Sequence, residues 1–206
     1  IPYNVAATPE TKKYTFNYSD PNIYNTGTNG GYFDNLKNGD SIKDFHYHKL
    51  EVDGVNPVDF LNEKHPDLVD KINFIKTDTE GLDKEVLKTL SPIIEKNKPV
   101  LMVEAFRALT SEEIEDFYNV LDGFGYLIYD VSPLDNKTDC TGPISKEEFE
   151  FYIHKIVDNG NFFCFHKDKL AEYNLPSFIP GKTAVVVFGR NDGYKEKERF
   201  AIHLTT

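Results

Sequence analysis

Two acids two positions apart, Asp78 and Glu80, close the apolar run Ile72-Asn73-Phe74-Ile75-Lys76-Thr77. Gly81 follows, and then the amphipathic stretch that opens with Leu82. This is the pattern of a buried strand that delivers carboxylates to its carboxyl end, with a helix starting directly after. In open α/β sheets, ligands sit in the crevice outside the carboxyl ends of the strands. Two carboxylates held there repel unless a cation, a proton or a substrate hydroxyl shares the site. If the strand runs on to Glu80, both side chains project the same way, because strand side chains repeat every two residues. Such a pair can orient or deprotonate a hydroxyl, or bind a divalent metal through oxygen. The plainer reading is structural: Glu80 caps the helix and Asp78 pairs with Lys76. Glu104 ends the next apolar run, Pro99-Val100-Leu101-Met102-Val103, and either faces the same crevice or pairs with Arg107.

Other candidates carry less. His46 and His48 lie on one side of a strand at metal-ligand spacing, but no third ligand is near in sequence. They read as an exposed pair. His154 reads as a boundary residue of its helix. Glu147, Glu148 and Glu150 read as a solvated helix face.

The elements that must position these residues follow from periodicity. Lys13–Tyr18 and His46–Val52 alternate, which predicts two strands around a long irregular loop. Asn56-Pro57 is a helix start that runs to about His65-Pro66. Ile72–Lys76 is a strand, and Leu82, Val86, Leu87, Leu90, Ile93 and Ile94 predict one helix over about residues 82–96, kinked at Pro92. Residues 99–104 form a second buried strand. Thr110 with Glu113 makes a capping box before the next helix, which Gly123 and Gly125 stop. Tyr126–Val131 is a third strand. Ser145 with Glu148 opens a further helix, and Asn161–His166 and Thr183–Phe188 are apolar strands. Strands alternating with helices imply an α/β fold with a parallel, doubly wound sheet, and the last two strands are read as an antiparallel edge. The strands at residues 72–76, 100–104 and 126–129 are expected to be parallel neighbours.

The chain has 206 residues, which suits one sizeable domain. Its parts are a hairpin region at 12–52, a βαβαβ core at 72–131, and a helix with edge strands at 132–206. A formal net charge of −11 argues against nucleic acid or an anionic membrane as main partner. No apolar run approaches the roughly 20 residues of a membrane span. Cys140 and Cys164 lack metal spacing and read as two free thiols of a cytoplasmic protein.

The segment Phe74-Ile75-Lys76-Thr77-Asp78-Thr79-Glu80-Gly81 resembles the FkbM-type methyltransferases, a branch of the class I S-adenosylmethionine-dependent fold. The similarity continues through Glu85-Val86-Leu87, Lys98-Pro99-Val100-Leu101-Met102-Val103-Glu104 and Gly125-Tyr126-Leu127-Ile128-Tyr129. Asn4-Val5-Ala6-Ala7 looks like the family's Asn-x-Ala after its third strand, and Val58-Asp59-Phe60-Leu61 leads to the fourth. The resemblance covers about residues 3–131. It implies a Rossmann-like class I methyltransferase sheet, incomplete at its N-terminus, with the hairpin region inserted. It also implies methyl transfer from S-adenosylmethionine to a hydroxyl of a sugar, a glycan or a polyketide-like metabolite. Asp78 would be the base or the ligand of a divalent metal, Glu80 and Glu104 would orient the acceptor, and Asn4 and Ala6 would lie near the adenine side of the cofactor. The family's Asp-x-Gly-x-Asn-x-Gly cofactor loop should precede Asn4 and is not found there. The chain alone is therefore expected to bind S-adenosylmethionine weakly or not at all. Asn25-Thr26-Gly27-Thr28-Asn29-Gly30-Gly31 imitates the loop but lacks a strand before it and a helix after it, so it reads as a surface turn. Two rival readings are a metal-dependent glycosyltransferase and a non-catalytic glycan-binding or partner module.

Overall fold

The computed structural model describes residues 3–18, 32–33, 48–79, 81–106, 109–131, 142–155, 160–172 and 184–189. Two mixed sheets and a set of helices make an α/β fold. The smaller sheet holds β1 (Ala6–Ala7), β2 (Lys12–Tyr18), β3 (Tyr32–Phe33) and β4 (His48–Val55), in the order β1-β4-β2-β3. β2 and β4 pair antiparallel along their whole length, from Lys12 opposite Gly54 to Tyr18 opposite His48. Gly54 is required there: a Cβ would sit 2.4 Å from the Tyr14 ring. The two strands expected in the hairpin region are thus present. β1 and β3 extend them into a sheet.

α1 (Pro57–Lys64) begins as the Asn-Pro signal predicts. The Asn56 side chain accepts from the amides of Val58 and Asp59 at 3.0 and 3.2 Å. A short helix α2 (Pro66–Val69) then leads into the larger sheet. That sheet contains β5 (Ile72–Asp78), β6 (Val100–Ala105), β7 (Tyr126–Asp130), β8 (Gly160–His166) and β9 (Ala184–Gly189). Its order is β7-β8-β6-β5-β9.

The pairing confirms one expectation and corrects two. β5 and β6 are parallel neighbours, as expected. β7 is not the next neighbour of β6, because β8 lies between them, antiparallel to both. The expected antiparallel edge is also revised: β8 is an interior strand, and β9 is the edge strand but parallel to β5. The physical reason is in β8 itself. Phe162 and Cys164 are fully buried on one face and Phe165 is nearly so on the other, the two-sided burial of a strand inside a sheet and not at its edge.

The helix expected over residues 82–96 is two helices, α3 (Asp83–Thr89) and α4 (Ser91–Asn97). Pro92 lies in the first turn of α4, where its missing amide is tolerated, so it starts a helix instead of kinking one. α5 (Ser111–Gly123) and α6 (Lys146–Lys155) complete the layer, and a 3-10 helix spans Lys167–Glu172. Ile75, Leu101, Val103 and Phe162 of the sheet share one buried cluster with Leu87, Ile94, Ile114, Phe117, Leu121 and Phe149 of the helices. Cys164 is fully buried in that cluster, and Cys140 lies outside the described residues.

Both expected capping boxes form. Glu113 N–H donates to Thr110 Oγ1 at 3.2 Å and Thr110 N–H to Glu113 Oε2 at 2.8 Å. Ser145 and Glu148 exchange the equivalent bonds at 3.2 and 2.7 Å. Replacing Thr110 by Ala should therefore lower the unfolding free energy by about 1 kcal/mol, the usual value of such a cap. Urea denaturation checks this. An unchanged midpoint would mean that Thr110 contributes nothing to α5.

Candidate active site at the carboxyl end of the central strands

β5 and β6 run parallel with Lys76 opposite Met102 and Thr77 opposite Val103. Asp78 and Glu104 are the next residues of the two strands, one step beyond the last paired positions. Strand alternation puts Thr77 and Val103 on the helix-covered face, where both are 1% exposed. Asp78, Glu104 and Lys76 therefore share the opposite face at the carboxyl end of adjacent strands. Glu104 also lies opposite Asn161 of β8. Asp78 and Glu104 thus end adjacent parallel strands on the same face.

Lys76 Nζ lies 2.8 Å from Asp78 Oδ2, with both side chains partly exposed. This is the ion pair of the plainer reading, and it does not use the whole carboxylate. Among the described residues, no hydrogen bond reaches Asp78 Oδ1. Glu80 and Arg107 lie outside the described residues. Gly81 has φ +104, a conformation that glycine alone adopts without strain, so this turn needs the glycine that ends the motif.

Asp83 is the residue that sequence reasoning missed. It sits in the first turn of α3, where an acid is ordinarily solvated, yet it is 1% exposed. Its Oδ2 accepts from the Thr79 hydroxyl at 2.9 Å and from the Thr79 amide at 3.2 Å. Its Oδ1 and the buried Thr77 Oγ1 have no hydrogen-bond partner among the described residues. Burial pushes the Asp83 carboxyl up to about 6, and the Asp78 charge pushes the same way. The Thr77 and Thr79 hydroxyls and the Thr79 amide pull it down; Thr77 acts by proximity and not through a well-formed hydrogen bond. The signal available in sequence was the four-residue spacing from Thr79 to Asp83, which lets a side chain reach back across the turn.

The two residues expected near a cofactor lie elsewhere. Asn4 is exposed, ahead of β1. Ala6 is half-buried in β1 of the smaller sheet and packs against the cluster of Tyr14 and Leu82. Leu82 follows Gly81, so this cluster ties the smaller sheet to the turn after Asp78. Neither Asn4 nor Ala6 belongs to the larger sheet that carries Asp78. The strand beside β5 on its other side is β9, with Gly189 opposite Asp78. The sequence from there, Gly189-Arg190-Asn191-Asp192-Gly193, has the glycine spacing of the family loop but carries Val187 where the family has Asp. Residues 190–206 lie outside the described residues, as does the imitating segment 25–31.

Among the described residues, no group of three or more His, Cys, Asp or Glu is arranged to hold a metal. His48 is exposed on β4, and His46 lies outside the described residues. His154 is exposed, 3.9 Å from Glu150. No helix among the described residues is long and apolar enough to cross a membrane. Comparison with protein-family models, with curated proteins and with solved structures finds no match.

Proposed function

We propose that this chain forms the acceptor side of an S-adenosylmethionine-dependent O-methyltransferase that acts on a hydroxyl of a sugar or glycan. The observation that supports it best is the parallel register of β5 and β6, paired up to Thr77 opposite Val103, which, with strand alternation, gives Asp78 and Glu104 the same face at the carboxyl ends of neighbouring strands, inside the segment that resembles the FkbM-type family. The finer assignment, a Rossmann-like class I sheet, belongs to the same proposal.

The chemistry of the acceptor follows from the geometry. Lys76 occupies Oδ2 of Asp78, which orients the carboxylate and leaves Oδ1 to accept a substrate O–H. Asp78 then takes the hydroxyl proton as the oxygen becomes a nucleophile. Glu104, one strand away at the spacing of about 4.8 Å between neighbours, would accept from a second hydroxyl. Two acceptors at that separation suit the adjacent hydroxyls of a sugar ring.

The family's cofactor loop, Asp-x-Gly-x-Asn-x-Gly, is assigned to none of the described residues. Accordingly, isothermal titration of residues 1–206 with S-adenosylmethionine should show no low-micromolar binding. Low-micromolar binding would place the cofactor loop within this chain, with residues 25–31 the first to mutate. The reaction class is tested by product analysis on the full-length protein. Glycan-dependent release of S-adenosylhomocysteine supports it. Manganese-dependent release of a nucleoside diphosphate from a nucleotide-sugar would favour a glycosyltransferase instead.

A further inference from the structure

We propose that Asp83 is the positioning residue of this site, holding the turn after β5 through its two hydrogen bonds from Thr79 and thereby setting the direction in which Asp78 points. The proposal rests on the reading of Asp78 as the acceptor-facing acid, but its geometry can be tested apart from that reading.

Three observations carry it. The first is the pair of hydrogen bonds itself: one carboxylate oxygen of Asp83 accepts from both the amide and the hydroxyl of Thr79, at 3.2 and 2.9 Å. Thr79 is the residue directly after Asp78 and the last before Glu80, so fixing its backbone fixes how the chain leaves the strand. The second is burial. A carboxyl that is 1% exposed loses its hydration, and a helix-forming neutral residue would serve the first turn of α3 without that loss. The third is the pair of buried oxygens, Asp83 Oδ1 and Thr77 Oγ1, without hydrogen-bond partners among the described residues. A side chain selected only for packing would not leave such atoms buried.

The charged groups around Asp83 are few among the described residues. Asp78 from β5 acts on it. Lys84, next to it on α3, is engaged by Asp116 of α5 at 2.7 Å and does not neutralise it. Asp83 and Asp78 therefore sense each other: when Asp83 ionises, the field at Asp78 and the acceptor strength at Thr79 both change.

Carbon-detected NMR of carboxyl groups, combined with amide exchange, tests this on the intact chain. In the wild type, the Thr79 amide and the Asp78 carboxyl signals should both show an inflection near pH 6, the value to which burial raises Asp83. Asp83→Asn keeps an acceptor for Thr79, so the Thr79 amide should stay protected while both inflections vanish. Asp83→Ala should speed Thr79 exchange by about tenfold or more, the scale of a lost hydrogen bond to a charged group. Thr79→Val, which keeps the amide and removes the hydroxyl, should give a smaller change of the same sign. The proposal is overturned if the Asp78 signal is indifferent to Asp83→Asn and Asp83→Ala, or if the Thr79 amide exchanges as fast in the wild type as in Asp83→Ala. These readouts need no substrate. If they appear and no methyl transfer is found, the positioning role stands and the proposed reaction fails.

Discussion

Asp78→Asn is expected to leave the sheet folded and to cut glycan methylation by the full-length protein about 100-fold or more, the usual scale for a positioned acid–base group. Asparagine keeps the shape and accepts a hydrogen bond, but it cannot take a proton. It also loses the ion pair with Lys76, whose partly exposed setting makes the stability loss small beside the kinetic one. Circular dichroism and a thermal midpoint near that of the wild type would establish the fold. Unchanged turnover would make Asp78 a structural partner of Lys76 and move the base to Glu104 or Glu80.

The second large effect concerns stability and pH. The Asp83 carboxyl is raised from its ordinary 3.8 to about 6. A raised acid binds its proton more tightly in the folded state than in the unfolded one. Its contribution to stability is therefore complete below about pH 3.8, is lost as pH rises toward 6, and stays lost above it. A shift of this size corresponds to roughly 3 kcal/mol, as an upper estimate. Asp83→Asn should then match the wild type near pH 4 and exceed it by about 1–3 kcal/mol at pH 7.5, because no buried charge remains. Urea denaturation at both pH values gives the comparison. Equal stability at pH 7.5 would mean that Asp83 is better solvated or better paired than its burial indicates. A gain from a single substitution at neutral pH is also the mark of a residue kept for a task other than stability.

The sequence carried the elements better than their neighbours. β5, β6 and α5 were legible because their apolar residues repeat at strand or helix spacing, and α1 and α6 because capping residues announce them. β8 was read as a strand, yet its place between β6 and β7 was not. Periodicity reports which faces of a strand are buried, not which strands bury them. β9 was likewise recognised and placed on the wrong terms, since its parallel pairing with β5 depends on a partner more than a hundred residues earlier. The break at Leu90-Ser91 was read as a kink because Pro92 allows either outcome.

The site divides the same way. Asp78 and Glu104 were found because each ends an apolar strand, and the register brings them to one face. Asn4 and Ala6 rested on resemblance alone; Ala6 lies in the smaller sheet and Asn4 just ahead of it. Asp83 was passed over because an acid in a helix's first turn is normally a surface residue, favoured by the helix dipole. Its burial comes from packing against β5, which no local pattern contains.

The most direct measurement is mass spectrometric mapping of the acceptor after incubation of the full-length protein with methyl-labelled S-adenosylmethionine and a glycan. A labelled methyl ether on a sugar hydroxyl, absent with Asp78→Asn, is the predicted product. A glycan that returns unlabelled, or that carries the label equally in Asp78→Asn, would contradict the assignment of this face as the acceptor site.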